Sequence, residues 1–122
     1  MSSRCYRDLL VWQKAISLVE AVYRLTANFP KAEEFGLKAQ LRRAAVSIPS
    51  NIAEGQGRRR PRVFHEFLNI AMGSLSELET QVDLAVRLHI LSPEDCQELH
   101  SQCEEVGKMI YGLGNSLTEV HH

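Results

Sequence analysis

The sequence predicts an all-α fold, an antiparallel up-down-up-down four-helix bundle. Apolar residues recur at steps of three and four through four separate stretches of the 122-residue chain, the spacing of a helix with one buried face. Short segments rich in proline, glycine and small polar residues divide those stretches, as connections do. No stretch shows the two-residue alternation of a strand. Four long helices with short connections bury their apolar faces most simply by packing antiparallel.

The helices are predicted over about residues 8–28, 33–56, 61–89 and 93–117 of a single domain spanning 1–122. In the first, Leu9, Trp12, Ile16, Val19 and Tyr23 read as the core seam, with Val11, Ala15, Leu18, Val22 and Leu25 as a second stripe beside it. Two stripes cover a wider arc than one bundle contact needs, so the spare one is expected to face a neighbouring subunit. The helix should end before Pro30, because proline disfavours helical geometry in the residue ahead of it.

In the second helix, Leu37, Leu41, Ala44, Ile48 and Ile52 form the core stripe. Pro49 removes one backbone donor and crowds the Ala45 carbonyl, yet the periodicity resumes beyond it. One helix kinked at Pro49 follows. Gly55 and Gly57 read as its C-terminal stop. Ser47, Pro49, Ser50, Asn51 and Glu54 form a structural polar cluster on this segment. Asn51 falls on the seam, where a buried amide needs partners and often fixes register. Ser47 and Ser50 are expected to bond the carbonyls freed by the proline.

Pro61 opens the third helix, since a first turn does not need the donor that proline lacks. Its seam is Phe64, Leu68, Ala71, Leu75, Leu78, Val82 and Ala85. Gly73, Ser74 and Ser76 are small enough to admit Ala44, Ala45, Ser47 and Ala53 closely. The fourth helix starts with Ser92 as cap, Pro93 in the first turn, and Glu94 and Asp95 at the positive end of the helix dipole. Cys96, Leu99, Cys103, Val106, Ile110, Leu113 and Leu117 carry its seam. The tail from Thr118 is expected to fray, with His121 and His122 read as residues possible in an added tag.

No apolar run approaches the ~20 residues that span a bilayer, and MSSRCYRDLL lacks the features of a signal peptide. A cytoplasmic protein without membrane contact is expected. Cys5, Cys96 and Cys103 include no CxxC pair. Cys96 and Cys103 would lie about two turns or ~10 Å apart on one helix, beyond disulfide reach, and both read as small core residues.

The net charge of −1 conceals an asymmetry. Residues 1–65 carry twelve Lys and Arg against five Asp and Glu, whereas residues 66–122 carry two against ten. A uniformly basic nucleic-acid binder is excluded, but a basic face opposite an acidic one is not. Such a molecule can also stack on copies of itself.

Catalytic and metal-binding patterns are missing: no HExxH, Walker loop or GxSxG is present. Glu54, Glu66, Glu77, Glu79 and Asp83 lack the Glu-x-x-His pattern of di-iron bundles and read as solvated acids or partners of arginines. His65, His89, His100, His121 and His122 are scattered and read as exposed or helix-end residues. No metal ligand, cofactor or catalytic residue is assigned. Arg60 and His65 fit an Arg-x4-His pattern resembling that of the HEPN ribonucleases, which makes RNase activity a remote alternative.

The strongest binding signal is basic. Arg42, Arg43, Arg58, Arg59, Arg60 and Arg62 lie within the stretch Leu41–Arg62. Four of them surround the turn into the third helix, where backbone donors and guanidinium groups can hold phosphate. They are the candidate contacts for RNA or DNA, with salt-dependent affinity. The competing reading is a pure scaffold, in which the same arginines meet acidic groups of a neighbouring subunit or a protein partner.

Several stretches together carry a family resemblance. They are LVWQKA from Leu10, Phe29-Pro30, Phe35-Gly36-Leu37, QLRRAAVSIPSNIAEG from Gln40 to Gly55, and FLNIAMGSLSELE from Phe67 to Glu79. In this order, over about residues 7–115, the chain closely resembles the four-helix-bundle family of proteins encoded in intervening sequences of bacterial large-subunit (23S) ribosomal RNA genes. It departs from that pattern at Gln56, in place of an aromatic residue, and at Pro61, in place of a small polar one. The resemblance implies a homopentameric ring with a basic surface and does not imply catalysis, so no enzymatic activity is expected. It extends to the accessory protein of diversity-generating retroelements, which implies nucleic acid and a reverse transcriptase as possible partners.

Overall fold

The computed structural model describes residues 5–119. The apolar periodicity resolves there into α1 (Leu10–Thr26), α2 (Leu37–Gly57), α3 (Pro61–Arg87) and α4 (Pro93–Glu119). Short 3-10 turns occupy Tyr6–Asp8 and Lys31–Glu33, and no strand occurs among the described residues. No described helix is long and apolar enough to cross a membrane.

The helix ends follow local chemistry. Ser92 Oγ accepts a bond from the Asp95 N–H at 3.1 Å, the expected cap of α4. The α2 helix begins at Leu37, later than expected. Residues 31–33 turn tightly first, and the Glu33 carboxylate then accepts the Leu37 N–H at 2.9 Å. At the other end, α4 continues to Glu119. The rest of the tail, with His121 and His122, lies outside the described residues.

Each helix backbone lies against two others, in the cycle α1–α2–α3–α4–α1, and the diagonal pairs face each other only across the shared core. Along α1 and α4, Lys14 pairs with Glu105 and Arg24 with Glu98, so numbers rise on one helix as they fall on the other. Gln40 with Gln81 and Ser47 with Ser74 show the same reversal between α2 and α3. Exposed ion pairs of this kind contribute at most about 1 kcal/mol each. The fold is held by its apolar centre, where Leu18, Leu41, Ile48, Ile52, Leu78, Leu99 and Ile110 are fully buried.

The two stripes of α1 exchange the roles expected of them. Val11, Ala15, Leu18 and Val22 are buried, while Trp12, Ile16 and Val19 are half-buried and Tyr23 is 43% exposed. Ala15 and Ala21 are small and buried on the same inner side. The aromatic stripe carries an indole N–H and a phenol, groups suited to the water boundary. Together with Tyr6, Val46, Pro49, Ser50 and Ala53, the outer stripe lines a surface groove of about 280 Å³.

Gly55 also has a different role from the one expected. It lies buried inside α2, which continues through Gly57. A Cβ at Gly55 would stand 2.6 Å from Phe67 Cβ and 2.9 Å from Phe64 Cδ1. Gly55 thus admits a close approach of α3, and the left-handed turn falls on Arg59 at φ 60°. Gly73 has open space around it, so the small segment of α3 makes its contact through Ser74, whose hydroxyl lies 2.7 Å from that of Ser47.

Pro49 is buried within α2, and the helix persists across it. The nearby polar groups do not reach the Ala45 carbonyl. Ser50 Oγ donates to Val46 O at 2.8 Å, and Asn51 Nδ2 donates to Ser47 O at 2.8 Å and Ser47 Oγ at 3.0 Å. A short side chain in a helix reaches the carbonyl four residues before its own position, which for Ser50 is Val46. Ser74, Ser47 and Asn51 therefore form one chain of bonds across the α2–α3 contact.

Candidate functional site

The six arginines divide into two groups. Arg42 and Arg43 stand sixteen and fifteen residues before Arg58, a helical rise of about 22–24 Å. They cannot form one compact patch.

Arg42 is committed to the fold. Its Nε donates to Thr26 Oγ1 at 2.9 Å, its Nη2 donates to Tyr23 O at 3.1 Å, and the guanidinium lies 4.2 Å from the Tyr23 ring centre. These contacts satisfy the last turn of α1. Arg43 is exposed beside Tyr23, Phe35 and Val46, around a depression of about 480 Å³.

The other four surround the α2–α3 turn. Arg58 lies 5.3 Å from the Phe67 ring centre and pairs with Glu54 at 2.8 Å, so one acid of the polar cluster neutralises one arginine. Arg59 holds the left-handed turn, and Arg60 is extended at the N-cap of α3 without a side-chain cap. Pro61 has no donor, so the N–H groups of Arg62 and Val63 stand at an uncapped positive helix end. Arg62 is exposed in a depression of about 340 Å³ that includes His65, Glu66 and Leu117. Among the described residues, no hydrogen bond or ion pair engages the side chains of Arg43, Arg59, Arg60 or Arg62. The arrangement is an electrostatic surface of backbone donors and three guanidinium groups, unpaired among the described residues, around one helix N-terminus.

Arg60 precedes α3 in extended backbone, and His65 is the fifth residue of the helix. Arg60 is exposed, while His65 is half-buried with its ring 3.5 Å from a Cβ built on Gly114. Among the described residues, no hydrogen bond joins the two.

One cluster is absent from any linear motif. Across the α3–α4 contact, His100 Nε2 lies 2.6 Å from Asp83 Oδ1, and Glu79 Oε2 lies 3.6 Å from His100 Nδ1. The Asp83 hydrogen bond raises the His100 pKa above its ordinary value, against an opposing effect of burial. Cys96, half-buried and 4.0 Å from Asp83, has its thiol pKa raised by burial and then by the Asp83 charge. Cys96 is thus a boundary residue, and Glu79 and Asp83 pair with histidine where solvated acids or arginine partners were expected. The linear signal is two pairs at four-residue spacing, Glu79/Asp83 and Cys96/His100.

Cys103 is the thiol that does sit in the core, and burial pushes its pKa from 9.0 up to about 12. Alkylation of the native protein should therefore modify Cys5 first and Cys103 last, read by intact mass over time. In the folded state Cys103 keeps its proton above pH 9 where the unfolded chain loses it. This contribution to stability is full below about pH 9 and falls as pH rises toward about 12, which alkaline urea titrations of wild type and Cys103→Ala compare.

Residues 7–112 match the family model described as 23S rRNA-intervening sequence protein. Among solved structures, the chain is similar to a protein of unknown function from the S23 ribosomal protein family of Bacteroides thetaiotaomicron. The TM-score is 0.77 at 23% identity, covering 86% of this chain and 98% of the other. That likeness supports the fold. No curated protein matches.

Proposed function

The chain belongs to the 23S rRNA-intervening sequence protein family, and from that premise we propose that it is a non-enzymatic, oligomeric bundle that binds structured RNA at the α2–α3 turn. The observation carrying this reading is the group Arg59, Arg60 and Arg62, unpaired among the described residues and set around the uncapped start of α3. Arg58 adds a fourth, partly neutralised charge. Phosphate oxygens suit both components, accepting from helix N–H groups and from the two-donor edge of guanidinium. Arg43 is a secondary contact on a separate part of the surface. Arg42 has a structural role.

The oligomeric part rests on the apolar surface of α1 and α2. Phe35 is 95% exposed, and Tyr23, Val46 and the groove beneath Trp12 extend the same face. An exposed apolar strip of this length fits a neighbouring subunit better than water. The pentamer implied by the family resemblance is the assembly we adopt, in the cytoplasm.

The test is a salt-titrated binding assay with structured RNA, comparing wild type with the triple change of Arg58, Arg59 and Arg60 to alanine. Loss of three phosphate contacts should weaken binding and lower the slope of log K against log salt by about 2 to 3. Unchanged affinity and slope would sink the site assignment. If the triple variant instead breaks the oligomer in native mass spectrometry, the arginines serve subunit contacts and the scaffold reading replaces this one.

A further inference from the structure

The α3–α4 contact brings together two pairs of side chains, each with a four-residue step. Glu79 and Asp83 share a face of α3, and Cys96 and His100 share a face of α4. Asp83, Cys96 and His100 each offer one ligand atom, and these atoms all lie within 4.8 Å of one another. We propose that they form a binding site for one zinc-class divalent cation, with Cys96 Sγ, His100 Nε2 and the Asp83 carboxylate as ligands and Glu79 positioning the imidazole.

Four features carry the assignment. The first is distance. Tetrahedral zinc, with bonds of about 2.3 Å to sulfur and about 2.0–2.1 Å to nitrogen and oxygen, sets N···O near ~3.3 Å and S···O near ~3.6 Å. The structure has 2.6 Å and 4.0 Å. An ion must therefore spread Asp83 and His100 by ~0.7 Å and draw Cys96 and Asp83 together by ~0.4 Å. The Asp83 side chain is 60% exposed and has room to rotate by that amount. Cys96 Sγ and His100 Nε2, within 4.8 Å of each other, must close to ~3.6 Å by side-chain rotation on α4.

The second is the donor set. Thiolate, imidazole and carboxylate together favour zinc or cobalt(II) over magnesium or calcium, which select oxygen. The third is the carboxylate behind the histidine. Glu79 lies 3.6 Å from Nδ1, the nitrogen not used for the ion. Such a carboxylate fixes the ring and the tautomer of a metal-bound histidine. The fourth is access, because Asp83 is exposed and Cys96 and His100 are half-buried. A hydrated ion can enter and keep water in the remaining position.

The site is independent of the RNA surface. Asp83 lies twenty-one residues beyond Arg62 on α3, about 31 Å of helical rise. Loss of either leaves the other to be tested by itself.

Cobalt(II) is the probe, since zinc has no visible spectrum. The full chain carries Cys5→Ser, His121→Ala and His122→Ala so that terminal groups contribute nothing. Titration should give a saturable, one-equivalent thiolate-to-cobalt charge-transfer band together with tetrahedral visible bands, all displaced by zinc chloride. Cys96→Ser should abolish the charge-transfer band with Cys103 still present. His100→Ala should weaken cobalt binding at least ~100-fold, and Glu79→Gln by about 10-fold with the spectrum retained. Helical circular dichroism checks that each variant is folded. A missing band in the parent protein, or a band that survives Cys96→Ser, overturns the proposal and leaves the cluster as an ion pair between His100 and two carboxylates.

Discussion

Gly55→Ala is expected to lower the stability of the bundle by about 2 kcal/mol, a large loss for one added methyl group. The methyl would stand 2.6 Å from Phe67 Cβ and 2.9 Å from Phe64 Cδ1. The Phe64 ring can tilt, but Phe67 Cβ is bonded to the α3 backbone and moves only if α3 does. Crowding of this kind costs up to about 3 kcal/mol, and the better helix propensity of alanine returns about 1 kcal/mol. Gly57 supplies the contrast, because nothing lies within 4 Å of a Cβ built there. Gly57→Ala keeps only the propensity gain and should stabilise by about 0.5–1 kcal/mol. Urea unfolding followed by circular dichroism should give the two variants opposite signs. A neutral Gly55→Ala would mean that α2 and α3 are held less tightly than the structure has them.

Arg42→Ala should also cost about 2 kcal/mol, while leaving RNA affinity unchanged. The guanidinium holds two acceptors on α1 and stacks on Tyr23. Thr26 Oγ1, which accepts from Arg42, donates in turn to Val22 O at 2.8 Å and is 1% exposed. Removing the arginine thus leaves a buried hydroxyl without its donor. Bonds from charged donors contribute about 1.5–3 kcal/mol and cation–π stacking about 0.5–1, discounted here because Arg42 is only half-buried. Arg59→Ala should do the reverse, weakening RNA binding with stability unchanged within about 0.5 kcal/mol. Equal losses of binding in the two variants would refute the division of the arginines.

The sequence made some features legible and concealed others for identifiable reasons. The caps and the core stripes of α2, α3 and α4 depend on neighbours along the chain, and Ser92, Pro61, Leu41 and Leu78 occupy the roles that their spacing predicts. Which stripe of α1 faces inward depends on the partners of α1, so periodicity alone could not rank the two. Gly55 shows the same limit: a glycine near a helix end suits a stop or a close approach, and only the position of Phe67 decides. The arginines are close in sequence, but the rise along α2 separates Arg42 from Arg58, and the end of α1 recruits Arg42. The grouping of Asp83, Cys96 and His100 required the register between α3 and α4, which no linear motif encodes.

The cyclic order of helix contacts also bears on how the chain folds. Three of the four interfaces join helices consecutive in sequence, and only α1–α4 connects distant segments. Predominantly local contacts place such a topology among chains that fold in microseconds to milliseconds. Successive hairpins can form early, and the slow search is reduced to one closure between the first helix and the last. That closure joins Lys14 to Glu105 and Arg24 to Glu98, bases from the positive half of the chain to acids from the negative half. The uneven distribution of charge thereby acts as a long-range attraction on the final encounter, one that added salt should weaken.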